Sequence, residues 1–600
     1  MNTGRERVLR PALVLFSLIL GVYAAVAGLK PPPALPATAP PSEFAAGRAM
    51  RYVEKLAAKP HPMASVAHDE VLEEVIGLWE ALGLEPEVQT AVLVDGKRGA
   101  AAKVSNVLTR LKGTEAGKAV MLVAHYDSVP SSPGAADDAA GVAVLLETAR
   151  ALKTGPAPGH DIIFLVTDGE EVGLLGARAF VKEHPWAADV GLVINFEARG
   201  TSGPSVMFET SPGNGPLVRA FAAAAPRPQA TSFAVSIYRR MPNGTDLSIF
   251  LDAGMQGLNF AFIGEPRDYH TPQDAPPHLD PRSLQHHGSS ALALARYFSR
   301  TEVPEEGRTD AVYFNAVGPG LIVYSPRTAW LAAIFAVLFL AAAGVVGFRK
   351  GLLDPRKLPG SILFLFLVLV LCPVLAVLFA KLAGLAHGRW LAAGEPGSNP
   401  SYFAALLLLI SFLFIILYGL FRRKSGWQNI AFATTSLGVL LTIWTTAALP
   451  GASYIIGWPA LLGAAALLST FLSRNEGIDT PVGTAAAALC AFATTVVFAP
   501  IIHFLFVALG LTPMGSGALG VFITLALLSL VPAVESIGRR GTAAWALLAV
   551  LAFVGLTIAG AATTRYTVRH PRPLTVHERV IGLPEPPAGH GHSPLRRSCP

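Results

Sequence analysis

Four short segments in the first half of the chain carry side chains of the types that bind metal ions and catalyse hydrolysis in other proteins. They cover residues 124–128 together with 134–141, then 167–173, 195–200 and 268–271. Nitrogen and oxygen ligands without thiolates are typical of a catalytic zinc that keeps one coordination position open. The segments offer five such side chains, which is more than one catalytic zinc usually takes. Five ligands fit two metals about 3.5–4 Å apart that share one carboxylate. The predicted cofactor is therefore zinc, two ions per chain, with these candidate ligands: His125, Asp137, Glu171, Glu197 and His270.

Two further carboxylates stand next to these candidate ligands. Asp127 lies two residues after His125, and alternate side chains of a strand share a face. Asp127 is thus expected to accept a hydrogen bond from the free imidazole nitrogen and to fix its tautomer. Glu170 precedes Glu171 and need not bind metal, so it is a candidate general base. Each motif alone has an ordinary structural explanation, such as a helix cap, but four in this order favour a site.

The elements that must position these residues are short apolar strands. Continuous apolar runs cover residues 119–124, 162–166, 192–194 and 258–263, and a helical pattern covers 142–152. Unbroken apolar runs are typical of strands buried on both faces, which predicts an α/β domain with a mostly parallel sheet. Each chemical segment follows or ends such a run. Ligands collect at the carboxyl ends of parallel strands, so the four segments are expected to meet in one crevice.

The composition indicates a second, membrane-embedded part. Hydrophobic residues make up 52% of the 600 residues and charged residues 15%, against about 25% charged in soluble proteins. The excess lies between residues 327 and 561, in runs near the roughly 20 residues that a bilayer requires. We predict an anchor over 1–30, a Pro-rich linker over 31–44, an α/β domain with the metal site over 45–300, a connector over 301–327, a membrane domain of about eight helices over 328–561 and a tail over 562–600. The eight spans are expected at 328–348, 360–385, 402–421, 428–447, 452–472, 484–508, 515–534 and 542–561.

Loop charges predict the orientation of these spans. Basic clusters follow the first, third and seventh of the eight, and positive loops face the cytoplasm. Residues 30–327 are therefore expected outside the cytoplasm. The C-terminal tail would then also lie outside, although its Arg565, Arg569 and Arg572 are charges that the rule places inside. The apolar segment 12–29 is interpreted as an uncleaved anchor, with a cleaved signal peptide as the alternative, and either would export the domain C-terminal to it. These loops account for the net charge of +6, so no nucleic acid is expected as a partner.

As a set, the four segments resemble the co-catalytic zinc aminopeptidase family, which includes aminopeptidase Y and secreted bacterial leucyl aminopeptidases. The likeness covers about residues 45–300 and implies a three-layer α/β/α fold. It implies one metal held by His125, Asp137 and Glu171, and a second held by Asp137, Glu197 and His270, with Asp137 as the bridge. It also implies that Glu170 is the general base. Tyr269 is similar to a tyrosine that helps to stabilise the tetrahedral intermediate in some members.

The layout of the whole chain resembles the vacuolar membrane protease and endoplasmic reticulum metallopeptidase branch of that family. It implies a membrane-bound aminopeptidase with peptide substrates and membrane lipid as partners, on the periplasmic or extracellular side in a bacterium, or the lumenal or vacuolar side in a eukaryote. Two positions depart from the family pattern. Glu197 stands where aspartate is frequent in secreted members, and Ala136 where Asn or Asp is common.

Several alternatives stay open from the sequence. Glutaminyl cyclases share the His-Tyr-Asp-Ser and Glu-Glu pattern, and a transporter or receptor could carry a degenerate peptidase domain. Carboxypeptidase specificity would need an arginine such as Arg199, Arg239 or Arg240. His503, inside a predicted span, is a candidate functional group, with a helix–helix hydrogen bond as the favoured explanation. The three cysteines, Cys372, Cys490 and Cys599, predict no disulfide framework, and the oligomeric state is left open.

Overall fold

A computed structural model describes residues 3–95, 100–318, 320–386, 399–473 and 480–563. The basic tail residues, Cys599 and the histidines of 589–592 lie outside the described residues. A helix, α1 (Thr3–Gly28), precedes an α/β domain. The strands of its main sheet are β1 (Glu87–Asp95), β2 (Ala100–Leu111), β3 (Ala119–His125), β4 (Ile162–Thr167), β5 (Val190–Ala198), β6 (Val206–Thr210) and β7 (Gln256–Phe262). The helices of this domain are α2 (Ala46–Leu56), α3 (Val66–Ala81), α4 (Ala140–Lys153), α5 (Leu175–Glu183), α6 (Gly215–Ala224), α7 (Ser232–Tyr238), α8 (Asp246–Asp252) and α9 (Pro281–Phe298).

The seven strands form one mixed sheet in the order β1-β2-β4-β3-β5-β7-β6. The four central strands, β4, β3, β5 and β7, run parallel to one another, and they coincide with the four apolar runs of the sequence. The outer strands pair antiparallel. The parallel arrangement expected from the sequence therefore holds for the centre of the sheet, where the site residues are, and not for its edges.

Helices cover both faces of the sheet, because alternate side chains of each central strand point to opposite faces. Val120 and Leu122 of β3 share a buried cluster with residues of α4 and α9. Met121 and Val123 of the same strand share another with residues of α5 and α8. Every residue of β3 and β4 is buried, which explains their unbroken apolar sequences. The predicted α/β/α layering is confirmed.

The segments expected as linker and connector pack against this domain. The amide N–H groups of Leu35 and Ala46 both donate to Oε1 of Gln285 in α9, at 2.9 Å. The connector region contains a two-stranded antiparallel hairpin of β8 (Val312–Asn315) and β9 (Leu321–Tyr324). Thr231 forms an isolated bridge to Phe314 in β8, so the hairpin is tied to the segment that precedes α7.

The second half of the chain is a bundle of apolar helices. They are α10 (Pro326–Arg349), α11 (Leu358–Ala386), α12 (Pro400–Ser425), α13 (Trp427–Ala448), α14 (Ser453–Leu472), α15 (Pro481–Leu509), α16 (Pro513–Ser529) and α17 (Val531–Thr563). Among the described residues, α1 and α10 to α15 are each long and apolar enough to cross a membrane. They cover the N-terminal span and the first six of the eight expected spans.

The seventh expected span, over residues 515–534, is not one straight helix. The helix is interrupted between Ser529 and Val531, and the two helical segments are bent by 57° relative to each other. Pro532 explains the break, since proline lacks an amide hydrogen and disfavours helical geometry in the residue before it. A second interruption lies at Gly538, where φ is 77°. The last expected span corresponds to a shorter apolar stretch, Leu548–Gly560.

Helix α1 packs against α15 within the bundle. A Cβ at Gly21 would lie 1.9 Å from Oγ1 of Thr495, so a larger residue here would force the two helices apart. Val14 is fully buried against Ala487 and Ala491 of α15. His503 also lies in α15, with its ring 6.1 Å from that of Phe504, and its expected role between helices stays a prediction.

The α/β domain is seated on one end of this bundle. The hydroxyl groups of Thr231 and Tyr454 are 2.6 Å apart, and the Ser232 hydroxyl donates to the carbonyl of Gly451 at 2.7 Å. The ring of Phe314 stacks on that of Tyr454, with 4.3 Å between centroids. These contacts join the segment 231–232 and the hairpin to the start of α14, so the two halves share a packed interface.

Candidate metal centre

The carboxyl ends of the four central strands bring the predicted site residues together. His125 is the last residue of β3, and Glu197 is the last but one of β5. Glu170 and Glu171 follow the end of β4, and the loop that carries His270 follows β7. The four strands are parallel neighbours, so their carboxyl ends meet at one edge of the sheet.

The candidate ligand atoms form two groups that share Asp137. Oδ1 of Asp137 lies 3.2 Å from Nε2 of His125, and its Oδ2 lies 3.0 Å from Nε2 of His270. Nε2 of His270 lies 3.0 Å from Oε1 of Glu171, and Nε2 of His125 lies 3.9 Å from Oε2 of Glu197. Within each group all ligand atoms are within 4.8 Å of one another. The groups are His125–Asp137–Glu197 and Asp137–Glu171–His270.

This grouping differs from the one implied by the family resemblance, in which Glu171 accompanied His125 and Glu197 accompanied His270. The loop after β7 is the reason. It folds back over residues 131–137, where the Ser131 hydroxyl donates to the carbonyl of His270 at 2.8 Å. This turn carries His270 towards Glu171, and it leaves Glu197 on β5 beside His125 on the neighbouring strand β3.

Asp127 contacts both His125 and the loop after β4. Nδ1 of His125 donates to the main-chain carbonyl of Asp127 at 3.0 Å, whereas the carboxylate that was expected to accept this bond is 3.5 Å away. That carboxylate instead accepts the amide N–H groups of Glu170 and Glu171, at 3.0 and 3.2 Å. Asp127 therefore fixes the imidazole through its backbone and the Glu-Glu pair through its side chain.

Glu170 and Tyr269 line the same cleft but belong to neither ligand group. Burial, and then the neighbouring Glu197, raise the pKa of Glu170 well above its ordinary value. A carboxyl group with a raised pKa beside a reaction centre is suited to proton transfer near neutral pH. The Tyr269 ring stacks on that of His270, with 3.7 Å between centroids. Burial raises the pKa of Tyr269, so its phenol keeps its proton and can donate a hydrogen bond.

The charge balance of the centre fits bound cations. Burial alone would raise the pKa of Asp137, but hydrogen bonds with His125 and His270 lower it to about 2. Burial raises the pKa of Glu197 well above its ordinary value. Oε1 of Glu171 is buried, and Nε2 of His270, 3.0 Å away, forms its hydrogen bond with Asp137 instead. Buried carboxylates that are crowded together need positive charge nearby, and a donor set of imidazoles and carboxylates suits zinc.

Two residues that the sequence did not indicate hold the ligands in place. The carboxylate of Asp274 accepts the amide N–H groups of Ala136 and Asp137, at 2.6 and 3.2 Å. Nε2 of His287 donates to the main-chain carbonyl of Glu197 at 3.0 Å. Both act on backbone atoms of segments far away in the chain, so no spacing rule could have indicated them.

The neighbouring His286 makes stability depend on pH. It is buried, its Nδ1 accepts the amide N–H of Ser205, and its Nε2 donates to the carbonyl of Arg227. Burial lowers its pKa to about 4. The unfolded chain takes up this proton below about pH 6.5, so the stability is complete above that pH and is lost as the pH falls towards 4.

We expect His286 to account for about 2 kcal/mol of lost stability between pH 7 and pH 5. The measurement is thermal unfolding of the purified protein at both pH values, with chelator present so that metal loss is the same in each. His286→Gln should lose less stability than the unaltered protein over this interval. An equal loss of stability in both proteins would show that His286 does not contribute to this pH dependence.

Part of the α/β domain matches a known protein family. Residues 106–295 match the profile of Peptidase family M28. Endoplasmic reticulum metallopeptidase 1 of Rattus norvegicus is 34% identical over 233 residues, which are 37% of this chain and 26% of that protein. The vacuolar membrane protease of Eremothecium gossypii is 30% identical over 351 residues, which are 53% of this chain and 34% of that protein. The matches thus span about a quarter to a third of these relatives.

Two solved structures are also similar to part of the chain. A glutaminyl cyclase from Porphyromonas gingivalis matches 42% of this chain and 98% of its own, with 19% identity and a TM-score of 0.36. An aminopeptidase from Aneurinibacillus sp. matches 45% of this chain and 97% of its own, with 16% identity and the same TM-score.

Proposed function

Because the chain carries a Peptidase family M28 domain, we propose that it is a membrane-bound metallopeptidase that uses two zinc ions to remove N-terminal residues from peptides. The observation that carries this proposal is the pair of ligand groups joined by Asp137. Each group offers one imidazole and two carboxylates, which leaves coordination positions open for reactants. Five protein ligands, one of which is a carboxylate shared by both groups, are typical of two-metal hydrolytic sites.

The residues of the chain divide the catalytic work between them. When bound, zinc supplies Lewis-acid chemistry, which lowers the pKa of water and polarises a carbonyl group. Glu170 accepts the proton of the attacking water and delivers it to the leaving amine. The Tyr269 phenol donates a hydrogen bond to the oxygen on which negative charge develops. Asp127, Asp274 and His287 hold the surrounding backbone, so that the reacting groups keep their positions.

The cleft favours a substrate amine over a substrate carboxylate. It is lined near the centre by four carboxyl groups, those of Asp137, Glu170, Glu171 and Glu197, and none of these can pair with a substrate carboxylate. Of the three arginines considered from the sequence, only Arg199 lines the cleft. Arg239 is paired with Asp310 at 2.5 Å, and Arg240 donates to the carbonyl of Ser236, so Arg199 is the one of the three that carboxypeptidase specificity would have to use.

We further propose that the α/β domain lies outside the cytoplasm. The contacts at Gly451 place the end of α13 and the start of α14 beside this domain. Arg422, Arg423 and Lys424 stand next to the opposite end of α13, and Arg349 ends α10, which starts at the domain. Positive charge at the far ends of the helices is what the positive-inside rule requires for a cytoplasmic side there. The close packing of α1 supports its retention as an anchor.

A panel of four peptides tests the reaction. We expect the zinc-loaded full chain to shorten a free-amine peptide by one residue and to leave its acetylated counterpart intact, because the acetyl group removes the ammonium charge. A chelator should abolish turnover, and added zinc should restore it. Release of the C-terminal residue from the acetylated peptide would contradict aminopeptidase specificity. Cyclisation of a glutamine-initial peptide without hydrolysis of an alanine-initial one would indicate a glutaminyl cyclase instead.

A further inference from the structure

The cleft that contains the metal-ligand groups extends to the membrane helices. Its volume is about 1520 Å³, larger than the roughly 300–1,000 Å³ of typical small-ligand sites. Its lining includes the carboxylates of the centre. It also includes the last turns of α15, through Ile501, Phe504, Leu505, Ala508 and Leu509. A charged reaction centre is thus joined by one cleft to a helix that is long and apolar enough to cross a membrane.

Helix α7 also forms part of the wall of the cleft. Phe233 and Ile237 of this helix line the cleft, and the Phe233 ring lies 5.7 Å from that of Phe522 in α16. The hydrogen bonds of Thr231 and Ser232 fix the start of α7 to the membrane domain. The walls of the cleft are therefore built by both halves of the chain and are held in register by their interface.

The rim of the cleft is apolar as well. Val94, Val172 and Ile237 all line it, and they are 74%, 50% and 42% exposed. Exposed apolar side chains that stand singly need no explanation, but a contiguous apolar surface beside a reaction centre marks a binding site. With the residues of α15, these side chains add apolar surface to the cleft that contains the metal-ligand groups.

We infer that the substrates are peptides whose residues next to the hydrolysed bond are apolar and are presented from the membrane, and that Phe504 and Leu505 of α15 determine this specificity. The inference rests on the proposed peptidase function. A polar peptide would leave these walls hydrated, whereas an apolar segment would bury them, and the gain in binding is proportional to the buried area. A segment of this kind partitions into lipid, and α15, which lines the cleft, is itself long and apolar enough to cross a membrane.

Two peptides of equal length test this inference. Both begin with the same free-amine residue and end in the same lysine tail; one continues with leucines and the other with serines. For the zinc-loaded full chain we expect kcat/KM to be at least about tenfold higher for the leucine peptide. Phe504→Ala combined with Leu505→Ala should lower the ratio of the two values about tenfold, mainly through KM, because the lost contacts contribute to binding.

Leu489→Ala is the matched control, because Leu489 lies in the same helix, is 54% exposed and does not line the cleft. This variant should keep the ratio of the two kcat/KM values. The peptides partition into detergent to the same extent whichever variant is assayed, so this effect cancels when the ratios are compared. Ile237→Ala, which trims the cleft from the α/β domain, gives a second test if the double variant in α15 fails to fold. It should lower the ratio in the same direction.

Binding separates this inference from the proposed reaction. Fluorescence anisotropy of the same two peptides, labelled at the lysine tail, gives their Kd values without turnover. Preferential binding of the leucine peptide that depends on Phe504 and Leu505 supports the inference even if neither peptide is hydrolysed, and such a result would overturn only the peptidase function. Equal Kd values, or a preference that the double variant leaves unchanged, would overturn the inference.

Discussion

Glu170→Gln is expected to lower kcat by about 10²–10⁴-fold while the protein keeps its zinc. Glutamine has nearly the same shape as glutamate but cannot accept a proton from water. Glu170 belongs to neither ligand group, so both groups stay complete. Its amide N–H, which donates to Asp127, is unchanged by the substitution, so the loop keeps its position. The measurements are kcat on a free-amine peptide and zinc content by elemental analysis.

Glu183→Gln is a suitable control for this variant. Glu183 lies at the end of α5, its side chain is 42% exposed, and it does not line the cleft. It should keep both activity and zinc. Full activity of Glu170→Gln would show that another group accepts the proton. Loss of zinc from this variant would instead place Glu170 among the ligands.

Asp137→Ala is expected to remove zinc from both groups and to abolish turnover. Asp137 is the only residue common to the two groups, and its two carboxylate oxygens face His125 and His270 separately. Loss of a residue that merely orients a ligand lowers metal affinity about 10–100-fold, so loss of a shared ligand should weaken both sites by more than about 100-fold. Zinc content after equilibration with a metal buffer checks this, and Asp69→Ala, at an 80% exposed side chain, is the control.

Single-group variants test the grouping itself. Glu197→Ala should weaken the site that contains His125, and Glu171→Ala the site that contains His270, so each variant should retain about one zinc per chain. Retention of two ions by Asp137→Ala would show that this carboxylate is no bridge. If Glu171→Ala and His125→Ala disturbed the same ion, the grouping implied by the family resemblance would replace the one seen in the structure.

Much of the architecture could be predicted because it depends on local patterns. The runs that became β3, β4, β5 and β7 are unbroken apolar stretches, which only strands covered on both faces require. The first six spans of the membrane domain can be recognised in the sequence from their length and apolar composition. The span over 515–534 was the exception. Pro532 is visible in the sequence, but α11, α14 and α15 each continue through a proline, so the residue type alone does not tell which proline will bend a helix.

The types of the site residues were likewise open to prediction, because each follows or ends a strand whose position the pattern indicates. The sequence by itself determined that His125, Asp137, Glu171, Glu197 and His270 are candidates for one metal centre. It could not determine how they group, because that depends on a loop after β7 that folds back over residues 131–137. The path of a loop is set by tertiary contacts and not by its own residues.

The supporting residues and the shape of the cleft were decided only by the tertiary structure. Asp274 and His287 act on the backbone of Asp137 and Glu197, and a backbone partner leaves no trace in the residue types. Phe504 and Leu505 look like ordinary residues of a spanning helix, and only the seating of the α/β domain on the bundle turns them into a wall of the cleft. The residue types that a reaction needs can be identified directly from the sequence, whereas proximity between distant segments is created by packing.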